Sequence, residues 1–417
     1  MNIKELYETE QYNEIIKICR NGEALKNFGE WDFLYAANAL QKLKDYQLLL
    51  DIAKIFQTKF PESKLIDDKI GWAIYTLFIK DFDPDKGDFA KLHQNIRFIV
   101  EKATEGRFSP KRLAVLKSVE ILLKKNRSKE DIESASAYLD ALDRSKLSAE
   151  EKQTTNRGRV LSISSDKEKW YSLKTKILLS LGKYQECVSF CDEALKAIPH
   201  LHSRNDVWFK QRKIKSLLCL SENKEAETIL NDLLQGKIPH WTILELAFDL
   251  AISKGEVEQA FIRGAEAALF DPSHSMRVAF YKKLADFWEG NGKPEDAQLL
   301  RKFVIAIRIK EGWDDGDKAE AIQKERELCK ELESIWEEMA NKGKKFLYGQ
   351  ITKILSSGFS GFIMAQDNNS YYFNVKDIHA RKENIKEGQK VKFIAEKRLD
   401  KKKNKEGLCA VNIHLEK

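Results

Sequence analysis

Flat aromatic rings and lysines are interleaved near the end of this 417-residue chain. In Gly361-Phe362-Ile363-Met364 and Tyr371-Tyr372-Phe373-Asn374, successive side chains of an extended backbone point to opposite faces. Ile363 and Phe373, with Val391, Phe393 and Ile413, fall on one face, and Phe362, Met364, Tyr372 and Asn374 on the other. Exposed rings stack on unpaired bases, about 1–3 kcal/mol per base and largely independent of base identity. Lys353, Lys390, Lys392 and the basic run 398–405, with Arg398, Lys401, Lys402 and Lys403, supply cations that neutralise phosphates and make binding salt-dependent. These residue types point to single-stranded RNA or DNA as a ligand.

Holding such a face in place requires a small all-β unit. Short alternating segments separated by Gly, Asn and Ser clusters predict strands near 346–355, 360–366, 371–375, 389–397 and 408–414. The charge distribution follows the same boundary. Residues 341–417 carry 17 Lys and Arg against 8 Asp and Glu, whereas the rest of the chain carries 55 against 57, so all the net positive charge sits on the β-rich tail. A lysine-rich surface that aids solubility would give the same asymmetry. The rings beside the lysines favour a polyanionic partner.

Everything before the tail reads as helix. Residues 1–310 show apolar side chains at helical spacing and few prolines. Helix-breaking turns recur at Lys44-Asp45, Gly182-Lys183, Ser221-Glu222, Gly255-Glu256 and Gly292-Lys293, the last four at intervals of 34–39 residues. A small residue follows about five positions after most of them: Cys187, Ala226, Ala260 and Ala297, with Leu49 the larger exception. A period in this range marks stacked helical hairpins, each burying against its neighbours an apolar face it cannot bury alone.

The segment Leu244–Pro272 resembles a tetratricopeptide repeat. It carries Ala247 and Ala251 on the first helix, Gly255 at the turn, Ala260 and Ala267 on the second helix, and Asp271-Pro272 at the exit. Trp170–Pro199, Trp31–Pro61 and Tyr281–Val304 follow the same pattern, although Trp31 and Trp170 sit one or two places out of register. Trp208–Pro239 is looser, with Lys213 where a large apolar residue is expected, and 64–160 reads as divergent helical repeats. The resemblance implies a protein partner on a concave surface. Some members of the family hold a C-terminal carboxylate with Lys, Asn and Arg residues; Asn38 alone stands at a comparable place. Residues 317–341, with Ala321, Leu328, Leu332, Ile335, Trp336 and Met339 at helical spacing, predict one long helix capping the stack.

The tail resembles a cold-shock domain, a five-stranded OB-type barrel that binds single-stranded RNA or DNA. The family's Lys-Gly-Phe-Gly-Phe-Ile stands here as Gly358-Phe359-Ser360-Gly361-Phe362-Ile363, and its Val-Phe-Val-His-Phe as Tyr371-Tyr372-Phe373-Asn374-Val375. Ser360 replaces the first stacking ring, with Phe359 beside it to compensate. Asn374 and Val375 replace two more, and Lys353 stands where a tryptophan is usual. The resemblance therefore implies a platform of two or three rings, namely Phe359, Phe362 and Tyr372, supported by a basic loop at 398–406.

Several signals for other chemistry fail on spacing. Asp81–Asp88 resembles a calcium loop, but its glycine is one place late, Pro84 interrupts it, and Leu92 stands at the closing glutamate. Gly290-Asn291-Gly292-Lys293-Pro294 lacks the gap, the Ser/Thr and the preceding strand of a phosphate loop. Seven histidines are scattered, and no Ser/His/Asp or paired-carboxylate arrangement can be picked out. No cofactor and no metal site is expected. Cys187 and Cys191 share a helix face at core positions, as buried inert thiols do. Six cysteines without a Cys-x-x-Cys pair suit a reducing, cytoplasmic setting, and no run of eighteen apolar residues or signal-peptide core is present.

The expected architecture is thus an all-α helical-repeat solenoid over 1–310, a capping helix and linker over 311–345, and a small OB-type barrel over 346–417. The expected role is a non-enzymatic adaptor joining single-stranded RNA or DNA to a protein partner, with no membrane contact. The rival readings are a pure protein-interaction scaffold and an accessory subunit that delivers a nuclease- or helicase-type enzyme to nucleic acid.

Overall fold

The computed structural model describes residues 2–106, 109–124, 128–156, 159–234, 241–270, 274–378, 385–400 and 405–416. The chain divides into two compact units, Met1–Glu256 and Val257–Lys417. The first is a helical array. Among the described residues the second holds four α-helices (Val257–Leu269, Val278–Gly290, Pro294–Lys310 and Lys318–Ala340) followed by a closed five-stranded barrel.

The five anticipated repeat turns share one backbone geometry. Lys44, Gly182, Ser221, Gly255 and Gly292 all have φ between 61° and 82°. At each, the following N–H donates back to a carbonyl five residues earlier: Asp45 to Leu40 at 3.0 Å, and Lys183 to Leu178, Glu222 to Leu217, Glu256 to Ala251 and Lys293 to Trp288 at 2.9 Å. This is the Schellman closure of a helix end, which satisfies carbonyls the helix leaves without partners. The residues five places on, Leu49, Cys187, Ala226, Ala260 and Ala297, are all fully buried. A sixth turn has the same form at Glu10, where Gln11 N–H donates to Leu6 at 2.8 Å and Ile15 is buried.

The anticipated deviation at Lys213 has a local cause. Its side chain is buried, and its ammonium lies 2.8 Å from both Asp192 and Glu225. Burial by itself would lower its pKa; the bonds to the two carboxylates outweigh that and raise it. Asn38 accepts from the Lys69 ammonium, 2.5 Å away, and Gln41 accepts from the same group at 2.7 Å.

Two expectations need correction. Residues 64–160 are not helical throughout. Strands β1 (Lys152–Asn156) and β2 (Arg159–Ile163) form an antiparallel hairpin, in which Thr154 faces Leu161 and Thr155 faces Val160. Thr154, Thr155, Val160 and Ile163 are β-branched, which favours extended backbone over helix. Trp31 is not a core residue of a repeat: it is 69% exposed, while Phe33 and Leu34 take the buried positions of its helix. Trp170 is buried and donates from its indole N–H to the Leu139 carbonyl at 3.0 Å.

The long helix begins one residue into the expected span. Asp317 is its N-cap, accepting from Ala319 N–H at 2.7 Å and Glu320 N–H at 3.1 Å. Ala321, Leu332, Trp336 and Met339 are buried along one face, and the Trp336 ring stacks on Tyr281 at 5.9 Å.

The barrel strands are β3 (Phe346–Ile354), β4 (Ser360–Ala365), β5 (Ser370–Asn374), β6 (Lys390–Asp400) and β7 (Lys405–Leu415). They close in the order β3-β4-β5-β7-β6, with β6 pairing back to β3 and β5 running parallel to β7. That order is compatible with an OB-type barrel. Ile363, Phe373, Val391, Phe393 and Ile413 fill its interior with no exposed surface, as their alternation requires. The loop expected at 398–406 is shorter. The β6–β7 ladder continues through Arg398↔Gly407 and Asp400↔Lys405, because each further pair satisfies backbone groups a loop would leave to water. Asn412, itself at φ 49°, donates from its side-chain amide to Asn341 at the end of the long helix, 2.7 Å away.

Candidate nucleic-acid interface

The register aligns side chains in a row across all five strands. Lys353 on β3 faces Phe362 on β4, Phe362 faces Tyr372 on β5, and Tyr372 faces Cys409 on β7. Glu396 on β6 faces Cys409 and ends the row. A bulge between Ile351 and Lys353 sets the first of these neighbours. It puts Thr352 and Lys353 consecutively on the outside, with the Thr352 hydroxyl donating to the Phe362 carbonyl at 3.2 Å. Bulges re-aim side chains in this way. Without it, strict alternation would turn Lys353 inward beside Ile351.

Phe362 and Tyr372 touch edge to face, with ring centroids 5.8 Å apart and planes 70° from parallel. Such a pair contributes about 0.5–1.5 kcal/mol beyond burial and holds both rings in one geometry. Tyr372 is 38% exposed and Phe362 is half-buried. Phe359, in the β3–β4 loop, is 63% exposed, and its carbonyl accepts from Val375 N–H at 2.9 Å. That bond ties the loop to the end of β5, beside the half-buried Asn374. Ser360 is buried and paired with Asn374, so it adds nothing to the surface.

Glycines let the strands approach closely behind this face. A β-carbon on Gly361 would lie 2.2 Å from the Lys353 carbonyl oxygen, and one on Gly349 would lie 2.5 Å from that of Met364. The β4–β5 turn is fixed by Asp367, whose carboxylate accepts from Asn369 N–H at 2.9 Å and from the Tyr371 hydroxyl at 2.8 Å. These bonds, that from the Asn369 backbone foremost, hold the Asp367 carboxyl below its ordinary pKa.

The expected cations divide. Lys353 is exposed next to the ring pair. Lys390 is exposed opposite Gln350, which faces Met364, so it stands two strands away from Met364 in a neighbouring row. Lys392 does not join the rings. It lies between Tyr348 and His414 in register, with its ammonium 5.4 Å from the centre of Phe346, where cation–π attraction engages it. Arg398 lies in β6, and its side chain, like Lys401, Lys402 and Lys403, falls outside the described residues.

Two exposed groups escaped the expected set of contacts. Tyr348 is 45% exposed on β3, and Met364 is 41% exposed on β4. Tyr348 has the parity of Gln350 on the same strand, so alternation alone was enough to place it outward. Among the described residues no group of three His, Cys, Asp or Glu side chains could hold a metal ion, and no helix is long and apolar enough to cross a membrane.

No protein-family model matches the chain, and no curated protein matches it.

Proposed function

We propose that the chain is a non-enzymatic adaptor. Its barrel, of cold-shock type, binds single-stranded RNA or DNA, and its helical array, of tetratricopeptide type, binds a protein. The observation that carries this reading is the row Lys353–Phe362–Tyr372, with Phe359 exposed in the adjoining loop. A cation beside a fixed pair of rings suits a phosphate next to unstacked bases. In OB-type barrels the face of the second and third strands, with the first–second and fourth–fifth loops, is where oligonucleotides lie. Phe362 and Tyr372 are on that face here, and Phe359 is in the first of those loops.

The helical array supports the other half of the role. Its turns repeat a single geometry, and arrays of this kind present a continuous inner wall to partners. The reduced number of rings predicts modest affinity with little base preference. The lysines predict a strong dependence on salt.

The test is a titration of fluorescent single-stranded RNA and DNA with the full chain at two salt concentrations. Binding at low salt that weakens at high salt, and weakens further in a Phe362→Ala/Tyr372→Ala variant, is the expected result. Absence of binding at low salt, or binding indifferent to the double substitution, overturns the reading.

A further inference from the structure

A nucleophile, a base and an orienting carboxylate meet in the second unit, away from the barrel face. The Sγ of Cys329 lies 4.0 Å from Nε2 of His274. The other ring nitrogen of His274, Nδ1, lies 3.0 Å from Oε1 of Glu325. Glu325 and Cys329 are four residues apart on the helix Lys318–Ala340, so they share one face of it. His274 begins the short 3₁₀ turn His274–Arg277.

The imidazole is held by two aromatic rings. Its ring meets Phe303 edge-on at 5.1 Å and Tyr281 at 6.3 Å. Arg277, fully buried, anchors the turn by donating to the carbonyls of Phe270 at 3.1 Å, Ala268 at 3.3 Å and Ala267. Glu325 is buried, and the Lys310 ammonium lies 2.7 Å from its carboxylate. Burial pushes that carboxyl upward in pKa. The bonds from Lys310 and His274 outweigh it, so the group stays ionised.

An ionised carboxylate only accepts hydrogen bonds, so Nδ1 donates to Glu325, and in the neutral imidazole this leaves the lone pair of Nε2 toward the thiol. This is the arrangement that activates a thiol: base within reach of nucleophile, third group orienting the base. Among the described residues, charged groups that meet the pair are Glu325, compensated by Lys310, and Glu333, whose Oε1 accepts from the thiol at 3.5 Å. Glu333 opposes thiolate formation, and His274 favours it.

The geometry points to Cys329 as a reactive thiol, a modification site for low-molecular-weight disulfides, with His274 as its base and Glu325 as a positioning residue. The Cys329 proton passes to Nε2 of His274. The thiolate attacks one sulfur of the disulfide, a new S–S bond forms to Cys329, and the old S–S bond breaks. The departing thiolate leaves as a thiol with the proton held on His274. Cys19, Cys187 and Cys191 are buried, whereas Cys329 and Cys409 are partly exposed and Cys219 is exposed, so selectivity for Cys329 rests on the base beside it and not on access.

The experiment treats the full chain with an aromatic disulfide reagent from pH 5.5 to 9 and follows each cysteine by peptide mass spectrometry. The exposed Cys219 is the internal reference. Near pH 6.5, Cys329 is expected to react about tenfold or more faster than Cys219 despite its lower exposure. In His274→Gln that advantage disappears and the pH profile moves up to that of an ordinary thiol. Glu325→Gln gives an intermediate profile. Circular dichroism confirms that each variant is folded, and the profile of the unsubstituted chain tests the idea without any variant. Equal rates at Cys329 and Cys219 across the range, or a profile unchanged in folded His274→Gln, overturn the assignment.

Discussion

The ring of Phe373 lies against the α-carbon of Gly361: a β-carbon there would sit 2.7 Å from Cε1 and Cζ of that ring. Gly361 and Phe373 are register partners on β4 and β5, and the next pair outward is Phe362 and Tyr372. The absence of one side chain inside the barrel therefore sets how closely the two outer rings approach.

Gly361→Ala should consequently damage the barrel far more than the loss of flexibility implies. The added carbon meets a carbonyl oxygen at 2.2 Å and a fully buried ring, neither of which can move freely. A loss of about 2 kcal/mol or more is expected, in the range of overpacked cores. Urea denaturation followed by barrel tyrosine fluorescence measures it, and an unchanged midpoint would show that β4 shifts to make room.

The outer face gives a different signature. Phe362→Ala and Tyr372→Ala each remove a partly exposed ring and its edge-to-face contact, so stability should fall by about 1 kcal/mol, less than for Gly361→Ala. Affinity for single-stranded nucleic acid should fall by about 1–3 kcal/mol per ring lost. Lys353→Ala should weaken binding to all sequences and reduce the salt slope by about 0.7, the share of one phosphate on a single strand. A salt titration of each variant separates stacking from charge.

The barrel was largely legible in the sequence because its signal is short-range. Alternation over five segments placed Ile363, Phe373 and Val391 inside and Tyr372 outside. The length of β6 and β7 was not legible, since Arg398–Asp400 and Lys405–Glu406 are too charged to look like strand and are paired through their backbone. The bulge at Lys353 was hidden for a similar reason: it is a fact of pairing, not of residue type. In the helical array the glycine turns stood out. The turn at Glu10 did not, because glutamate gives no sign of a left-handed backbone. The hairpin at 152–163 was hidden beneath a helical expectation for its surroundings. The Cys329–His274–Glu325 group joins residues 51 and 55 positions apart, a spacing no motif encodes.

The shared turn geometry predicts a sign reversal between two substitutions. Ser221 has φ 62° and pays the steric cost of a side chain in the left-handed region, so Ser221→Gly should stabilise the array by about 0.5–1 kcal/mol. Gly255 has φ 70°, so Gly255→Ala should destabilise by about 1 kcal/mol. Thermal unfolding of the two variants checks both. The same sign for both would mean that the turns differ in solution.

The buried lysine predicts a dependence on alkaline pH. The folded pKa of Lys213 is raised, so its pairing with Asp192 and Glu225 stabilises the fold fully below the ordinary lysine pKa of about 10.4 and is lost as pH rises through the folded value. Asp192→Asn with Glu225→Gln leaves an unpaired buried ammonium and should cost about 2–4 kcal/mol at pH 7, with the gap to the unsubstituted chain narrowing above pH ~10. Lys213→Met removes charge and partners' demand together and should be nearly neutral. Denaturation curves at pH 7 and pH 10.5 decide.

The pairing around the two rings has a last consequence. Phe362 and Tyr372 each have a paired strand on both sides, so the ring face itself offers no backbone edge to an incoming strand. A ligand of that face must be met by side chains, so a single change of Phe362 or Tyr372 would retune which ligand it takes.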